Sequence, residues 1–103
     1  MSNKAKHDTK QLRAIGHKLK PVVTVAGNGL TDAVYAEVER ALGDHELIKI
    51  KLAVGSREAR EAVATEVCTR TGADKVQSIG NVLVILRRAA KPDPRLSNLI
   101  RSQ

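Results

Sequence analysis

The chain has 103 residues, 42% of them apolar, and a formal charge of +7, which suits one domain with its own core and no more. Tyr35 is the one aromatic residue and Cys68 the one cysteine, so the core must be aliphatic and an intramolecular disulfide is excluded, as fits a reducing cytoplasm. No apolar run approaches the roughly 20 residues of a membrane span, and the polar, basic stretch from Met1 to Lys10 lacks the apolar centre of a secretory signal.

Residues 1–8 read as a flexible basic arm. From Thr9, Leu12, Ile15 and Leu19 recur at helical spacing until Pro21 ends the helix. Val22 to Val25 is a β-branched run and predicts a strand. Ala26-Gly27-Asn28-Gly29 predicts a turn, since Gly and Asn tolerate positive φ. Leu30 follows it, then Thr31 as N-cap and Asp32 in the first turn of a helix. That helix is predicted to run to about Leu42, with Val34, Val38, Ala41 and Leu42 buried and Gly43 as its end. Glu46 to Ala53 alternates: Ile48, Ile50 and Leu52 point inward, Lys49 and Lys51 outward, as in a strand with one solvated face. After the turn at Gly55 and Ser56, a helix is expected from about Arg57 to Arg70, burying Ala59, Ala62, Val63 and Val67 and ending at Gly72. Val76 to Ile79 and Val82 to Arg87 predict two strands joined by a tight Gly80-Asn81 hairpin. Beyond Arg88, Pro92 and Pro94 argue against regular structure, leaving Leu96, Leu99 and Ile100 to dock weakly.

The order is an N-terminal helix, then β-α-β-α-β-β. Strands linked through helices run parallel and the hairpin adds an antiparallel pair. The fold class is therefore α/β: a single compact domain with a mixed four-stranded sheet and helices packed on it. Residues 9–88 form the domain, and residues 89–103 a basic C-terminal tail.

Charge is distributed unevenly. Residues 1–20 hold six basic and one acidic side chain, residues 21–86 seven and nine, and residues 87–103 five and one. The whole excess lies at the two ends, which points to a polyanionic partner. Catalytic and metal chemistry find little support. His7, His17, His45 and Cys68 lack ligand spacing, Ser56 and Ser78 lack a nucleophile motif, and the glutamates at 37, 39, 58 and 61 sit at spacings of solvated helix faces. No P-loop or dinucleotide fingerprint occurs, so no cofactor, no metal and no enzymatic activity are expected.

Ala26-Gly27-Asn28-Gly29 is different, because it lies between a strand and a helix N-terminus, where amide groups and the helix dipole favour phosphate. Leu30 and Thr31 complete that candidate site. Lys49 and Lys51 are expected on the sheet face away from the helices. Lys18 and Lys20 precede the first strand at its far end, and Arg87 and Arg88 end the last one. The strands carry no aromatic residue on which a base could stack, so any RNA contact should be to phosphate and shape.

The segments Leu19-Lys20-Pro21-Val22-Val23, Asn28-Gly29-Leu30-Thr31, His45-Glu46-Leu47-Ile48-Lys49-Ile50-Lys51 and Ile79-Gly80-Asn81-Val82-Leu83-Val84 resemble, in that order, the CRM domain (chloroplast RNA splicing and ribosome maturation), in particular its stand-alone bacterial members of the YhbY type. The resemblance covers roughly residues 10–90. It implies a fold similar to the C-terminal domain of bacterial translation initiation factor three and an association with RNA of large-subunit precursors during ribosome assembly. It also implies a G-x-x-G loop that clamps RNA backbone as in KH domains. Here Ala26 replaces the first glycine of that loop, which would weaken the clamp if the position needs positive φ. The alternative is a protein-interaction module that docks on a ribosomal protein or assembly factor through the acidic middle, including Glu37 and Glu39.

Overall fold

The computed structural model describes residues 7–101. Most of the proposed arm, residues 1–6, lies outside the described residues. The elements are α1 (Thr9–Lys18), β1 (Pro21–Val25), α2 (Asp32–His45), β2 (Leu47–Leu52), α3 (Arg57–Thr71), β3 (Asp74–Ile79), β4 (Val82–Leu86) and α4 (Asn98–Arg101). The four strands form one mixed sheet in the order β1-β2-β4-β3. β1 pairs parallel with β2, and β4 pairs antiparallel with β2 and with β3. The α/β fold class read from the sequence is the fold observed.

Helix starts follow local chemistry. Asp8 caps α1 in a reciprocal box with Gln11: the Gln11 amide donates to Asp8 Oδ1 at 2.8 Å and the Asp8 amide to Gln11 Oε1 at 2.8 Å. Thr31 Oγ1 caps α2 by accepting from Val34 N–H at 3.2 Å, and Ser56 Oγ caps α3 by accepting from Ala59 N–H at 3.0 Å. Gly72, at φ 74°, ends α3 in the left-handed conformation that only glycine enters freely. Gly80, at φ 56°, likewise makes the two-residue β3–β4 turn.

Both sheet faces are covered. On one face Ile48, Ile50, Leu52, Leu83 and Ile85 meet Val38, Ala41 and Leu42 of α2 and Ala64 and Val67 of α3. On the other, Leu47, Val84, Leu86 and Val76 meet Leu12 of α1 and Leu99 of α4. The expected solvated face for Lys49 and Lys51 is thus corrected: α1 and α4 pack on it, leaving Lys49 half-buried and Lys51 exposed. The physical reason is that β4 is a continuous apolar run, Val82-Leu83-Val84-Ile85-Leu86, in which both side-chain rows need cover. Gly16 lets α1 approach closely; a Cβ there would meet Val84 Cγ1 at 2.8 Å. Within α3, Ala62 is exposed and Ala64 buried, a shift from the expected stripe.

The largest departure is at the end of α2. Gly43 does not stop the helix, which continues to His45. Glu46 caps it at φ 64°, ψ −50°, a region resembling the strained γ-turn and costly for any side chain. Glu46 is only 4% exposed. Its Oε1 accepts from Ser97 Oγ and its Oε2 from the Ala89 amide, both at 2.6 Å, while its carbonyl accepts from Arg87 N–H at 2.9 Å. Charge-assisted bonds of this kind, roughly 1.5–3 kcal/mol each, outweigh a backbone strain of about 1–3 kcal/mol.

Those bonds also hold the C-terminal segment. Asn98 Nδ2 donates to Leu47 O at 2.7 Å, His45 Nδ1 lies 2.9 Å from Leu96 O, and Leu99 is 3% exposed. After the two prolines the chain forms the short helix α4, where the sequence predicted no regular structure.

Candidate functional site

The glycine loop joins β1 to α2 as a β-turn. Gly29 N–H donates to Ala26 O at 2.9 Å, and Thr31 N–H to Gly29 O at 3.0 Å. Gly29 sits at φ 75°, so this is the position where the backbone requires glycine. Ala26 and Gly27 do not take positive φ. Alanine is therefore compatible with the turn at position 26, and Gly27 is not needed for its conformation. A Cβ built on Gly27 or Gly29 would meet nothing within 4 Å, so the outer side of the turn is open. Ala26, Gly27 and Asn28 are exposed. The amides of Gly27 and Asn28 take no part in the loop's own hydrogen bonds. Asp32 stands at the helix start and offsets part of the dipole there.

Two features hold the turn in place. Leu30 is buried in the main core. Arg70, at the end of α3, donates through Nη1 to Leu30 O at 3.3 Å and lies 4.4 Å from the Tyr35 ring centre. Tyr35 Oη donates to Arg70 O at 3.4 Å, and Glu66 lies 3.8 Å from Arg70 Nη1. Arg70 and Tyr35 are missed by sequence reasoning, because a basic residue in the last turn of a helix reads as an ordinary dipole partner.

The sheet brings some candidates together and separates others. Ala53 N–H donates to Val25 O and Leu52 N–H to Asn81 O, both at 2.7 Å, so the glycine loop, the β2–α3 link and the β3–β4 turn share one end of the sheet. Lys51, opposite Thr24 and Val82, lies near that end and is exposed. Lys49 lies further down β2, its Nζ donating to His17 O at 3.2 Å. Lys18 and Lys20 are exposed at the start of β1, the opposite end from the loop. Arg87 is also at that far end and is engaged inside the fold. Its Nη1 is 2.9 Å from Glu39 Oε2 and donates to Thr71 O at 3.0 Å, and its Nη2 donates to Glu39 O at 3.4 Å. Arg88 is exposed beside it.

Among the described residues no group of three His, Cys, Asp or Glu side chains could hold a metal, and no helix is long and apolar enough to cross a membrane. Burial raises the pKa of Cys68, partly countered by Lys75, the setting of an unreactive thiol.

A Pseudomonas aeruginosa protein named "Probable RNA-binding protein" is 53% identical over 92 residues, covering 89% of this chain and 88% of its own. A Haemophilus influenzae protein named "RNA-binding protein" is 46% identical over 76 residues, covering 74% and 77%. The solution structure of a Staphylococcus aureus protein matches the fold with a TM-score of 0.73 at 23% identity, over 81% of this chain and 86% of that one. The family model of the CRS1 / YhbY (CRM) domain matches residues 5–87. With most of its length inside that match, the chain belongs to the CRS1 / YhbY (CRM) domain family.

Proposed function

We propose that this protein binds RNA and associates, in the cytoplasm, with ribosomal RNA of large-subunit precursors during ribosome assembly. The observation that carries this reading is the open outer side of the Gly27–Asn28 turn, at the head of a helix. Two relatives of this chain are named as RNA-binding proteins. In this reading the turn amides hold an RNA phosphate, Gly29 gives the turn its shape, and Leu30 and Thr31 fix it to the core and to α2. Lys51, exposed near the same end of the sheet, adds a positive charge to that region. The basic ends, including Lys18, Lys20 and Arg88, supply long-range attraction that weakens with salt. Arg87 serves the fold through Glu39. Nothing in the reading calls for catalysis.

The second reading, docking on a ribosomal protein or assembly factor, is favoured by Ile79, a large apolar side chain left 63% exposed on the edge strand β3. The acidic surface of α2 favours it less, since Glu39 is occupied by Arg87. Sedimentation of cell lysate on a sucrose gradient, with and without mild ribonuclease, decides between them. Comigration with a large-subunit precursor that is lost on digestion supports the RNA reading. Association that survives digestion supports the protein contact. A position at the top of the gradient refutes the ribosomal assignment.

A further inference from the structure

At the end of the sheet opposite the glycine loop, a cleft of about 210 Å³ opens between the start of β1 and α4. Every charged or titratable side chain that lines it is a potential cation: Lys20, Lys49, Arg101 and His45. Among the described residues no carboxylate lines it. Glu46, next to His45 in the chain, is buried and has both oxygens occupied by Ala89 N–H and Ser97 Oγ. Among the described residues, Lys20, Lys49 and Arg101 make no ion pair. Arg87, at the same end of the sheet, is paired with Glu39, so the fold neutralises one cation there and leaves Lys20 and Arg101 lining a shared cleft, with Lys49 beside them bonded through Nζ to His17 O. Gathering like charges is unfavourable unless an anion joins them.

The cleft is a product of the tertiary fold. Arg101 reaches it only because Ser97, Asn98 and Leu96 are bonded to Glu46, Leu47 and His45. A carbonyl oxygen can only accept, so the His45 Nδ1 that lies 2.9 Å from Leu96 O carries the hydrogen. That leaves Nε2 as the ring atom available for another partner. The residues that bring Arg101 here lie beyond residue 87, where the family match ends.

We propose that this cleft is a second contact for RNA backbone phosphate, separate from the glycine loop; the proposal rests on the RNA-binding reading above. β1, five residues long, separates the two contacts by about 16 Å at roughly 3.3 Å per residue. An RNA held at both ends of β1 must therefore present backbone phosphates across that distance.

The test uses the full chain and a fluorescein-labelled fragment of large-subunit ribosomal RNA, with anisotropy read from about 50 to 200 mM salt. The variant Lys20→Gln/Arg101→Gln removes two exposed charges and leaves Glu46, Ser97 and Leu99 in place. Each lost phosphate contact lowers the slope of log affinity against log salt by roughly 0.7–0.9, so the pair lowers it by about 1.4–1.8. Over a fourfold rise in salt, wild type then loses about tenfold more affinity than the variant. An unchanged slope, with binding still weakened by Gly27→Asp in the loop, overturns the cleft and leaves the RNA reading intact. Absence of RNA binding by wild type overturns both. Inorganic phosphate serves as the second probe: if it shifts the NMR signals of His45 and Arg101 while the RNA fragment does not, the cleft holds a small anion and the RNA contact is refuted.

Discussion

Gly27 offers the cleanest perturbation of the glycine loop. The residue does not take positive φ, and a Cβ there meets nothing within 4 Å. Replacing Gly27 by Asp should therefore leave the fold within about 0.5 kcal/mol of wild type, as at other unconstrained surface positions. In the proposed complex the new carboxylate faces the phosphate that approaches the turn. Two unit charges about 4 Å apart repel by roughly 1 kcal/mol at the dielectric of water and about 4 kcal/mol at an effective value of 20. An exposed turn partly covered by RNA lies between these limits, so a loss near 1–3 kcal/mol is expected, or about 5- to 150-fold in affinity. Anisotropy titration with a labelled ribosomal RNA fragment measures the affinity, and thermal unfolding of the same samples controls for the fold. Gly29→Asp is a poorer probe, because φ 75° at that position adds a backbone cost of about 1–2 kcal/mol and mixes stability with binding. Unchanged affinity in a Gly27→Asp variant that melts like wild type would refute the loop as the RNA contact.

Other outcomes follow from the same geometry. Glu46→Gln keeps the shape of the side chain but replaces two charge-assisted acceptors by a neutral amide, whose oxygen can accept from Ala89 N–H and whose NH2 must donate to Ser97 Oγ; a loss of about 1–3 kcal/mol in denaturant unfolding is expected, with faster amide exchange at Leu99 as the C-terminal segment loosens. Arg87→Ala leaves Glu39 and Thr71 O without their partner and should lower stability by about 1–2 kcal/mol, while affinity for RNA stays at the wild-type value; a large loss of binding without loss of stability would return Arg87 to the interface. Burial holds the Cys68 thiol above its ordinary pKa, so its alkylation by iodoacetamide near pH 8 should run slower than in the urea-unfolded chain. The sign follows from the folded state disfavouring the thiolate: the contribution of Cys68 to stability is present below its unfolded pKa and is lost as pH rises above it.

Much of the architecture is legible in the sequence. Local steric and hydrogen-bonding rules place Thr31 and Ser56 as caps, Gly72 as a helix end and Gly80-Asn81 as a hairpin, and the order of helices and strands implies the mixed sheet. The position of the glycine loop between β1 and α2 is legible for the same reason, since turn chemistry acts between near neighbours. What the loop does with its glycines is not. Only the folded backbone separates Gly29, held at positive φ, from Gly27, which is free of that demand, and shows that Ala26 strains nothing.

The roles of the charged residues were decided by tertiary structure. Glu46 reads as the first residue of an alternating strand, yet it caps α2 and anchors residues 89–101 through partners about 43 and 51 positions away. Arg87 reads as one more basic residue at a strand end, yet it is bound to Glu39, 48 positions earlier. Lys49 reads as solvent-facing until α1 folds over its side of the sheet. Alternation and periodicity record which side of an element a residue occupies. They carry no information on what a distant segment will lay against that side, and that is what separates the cations serving the fold from those left facing solvent.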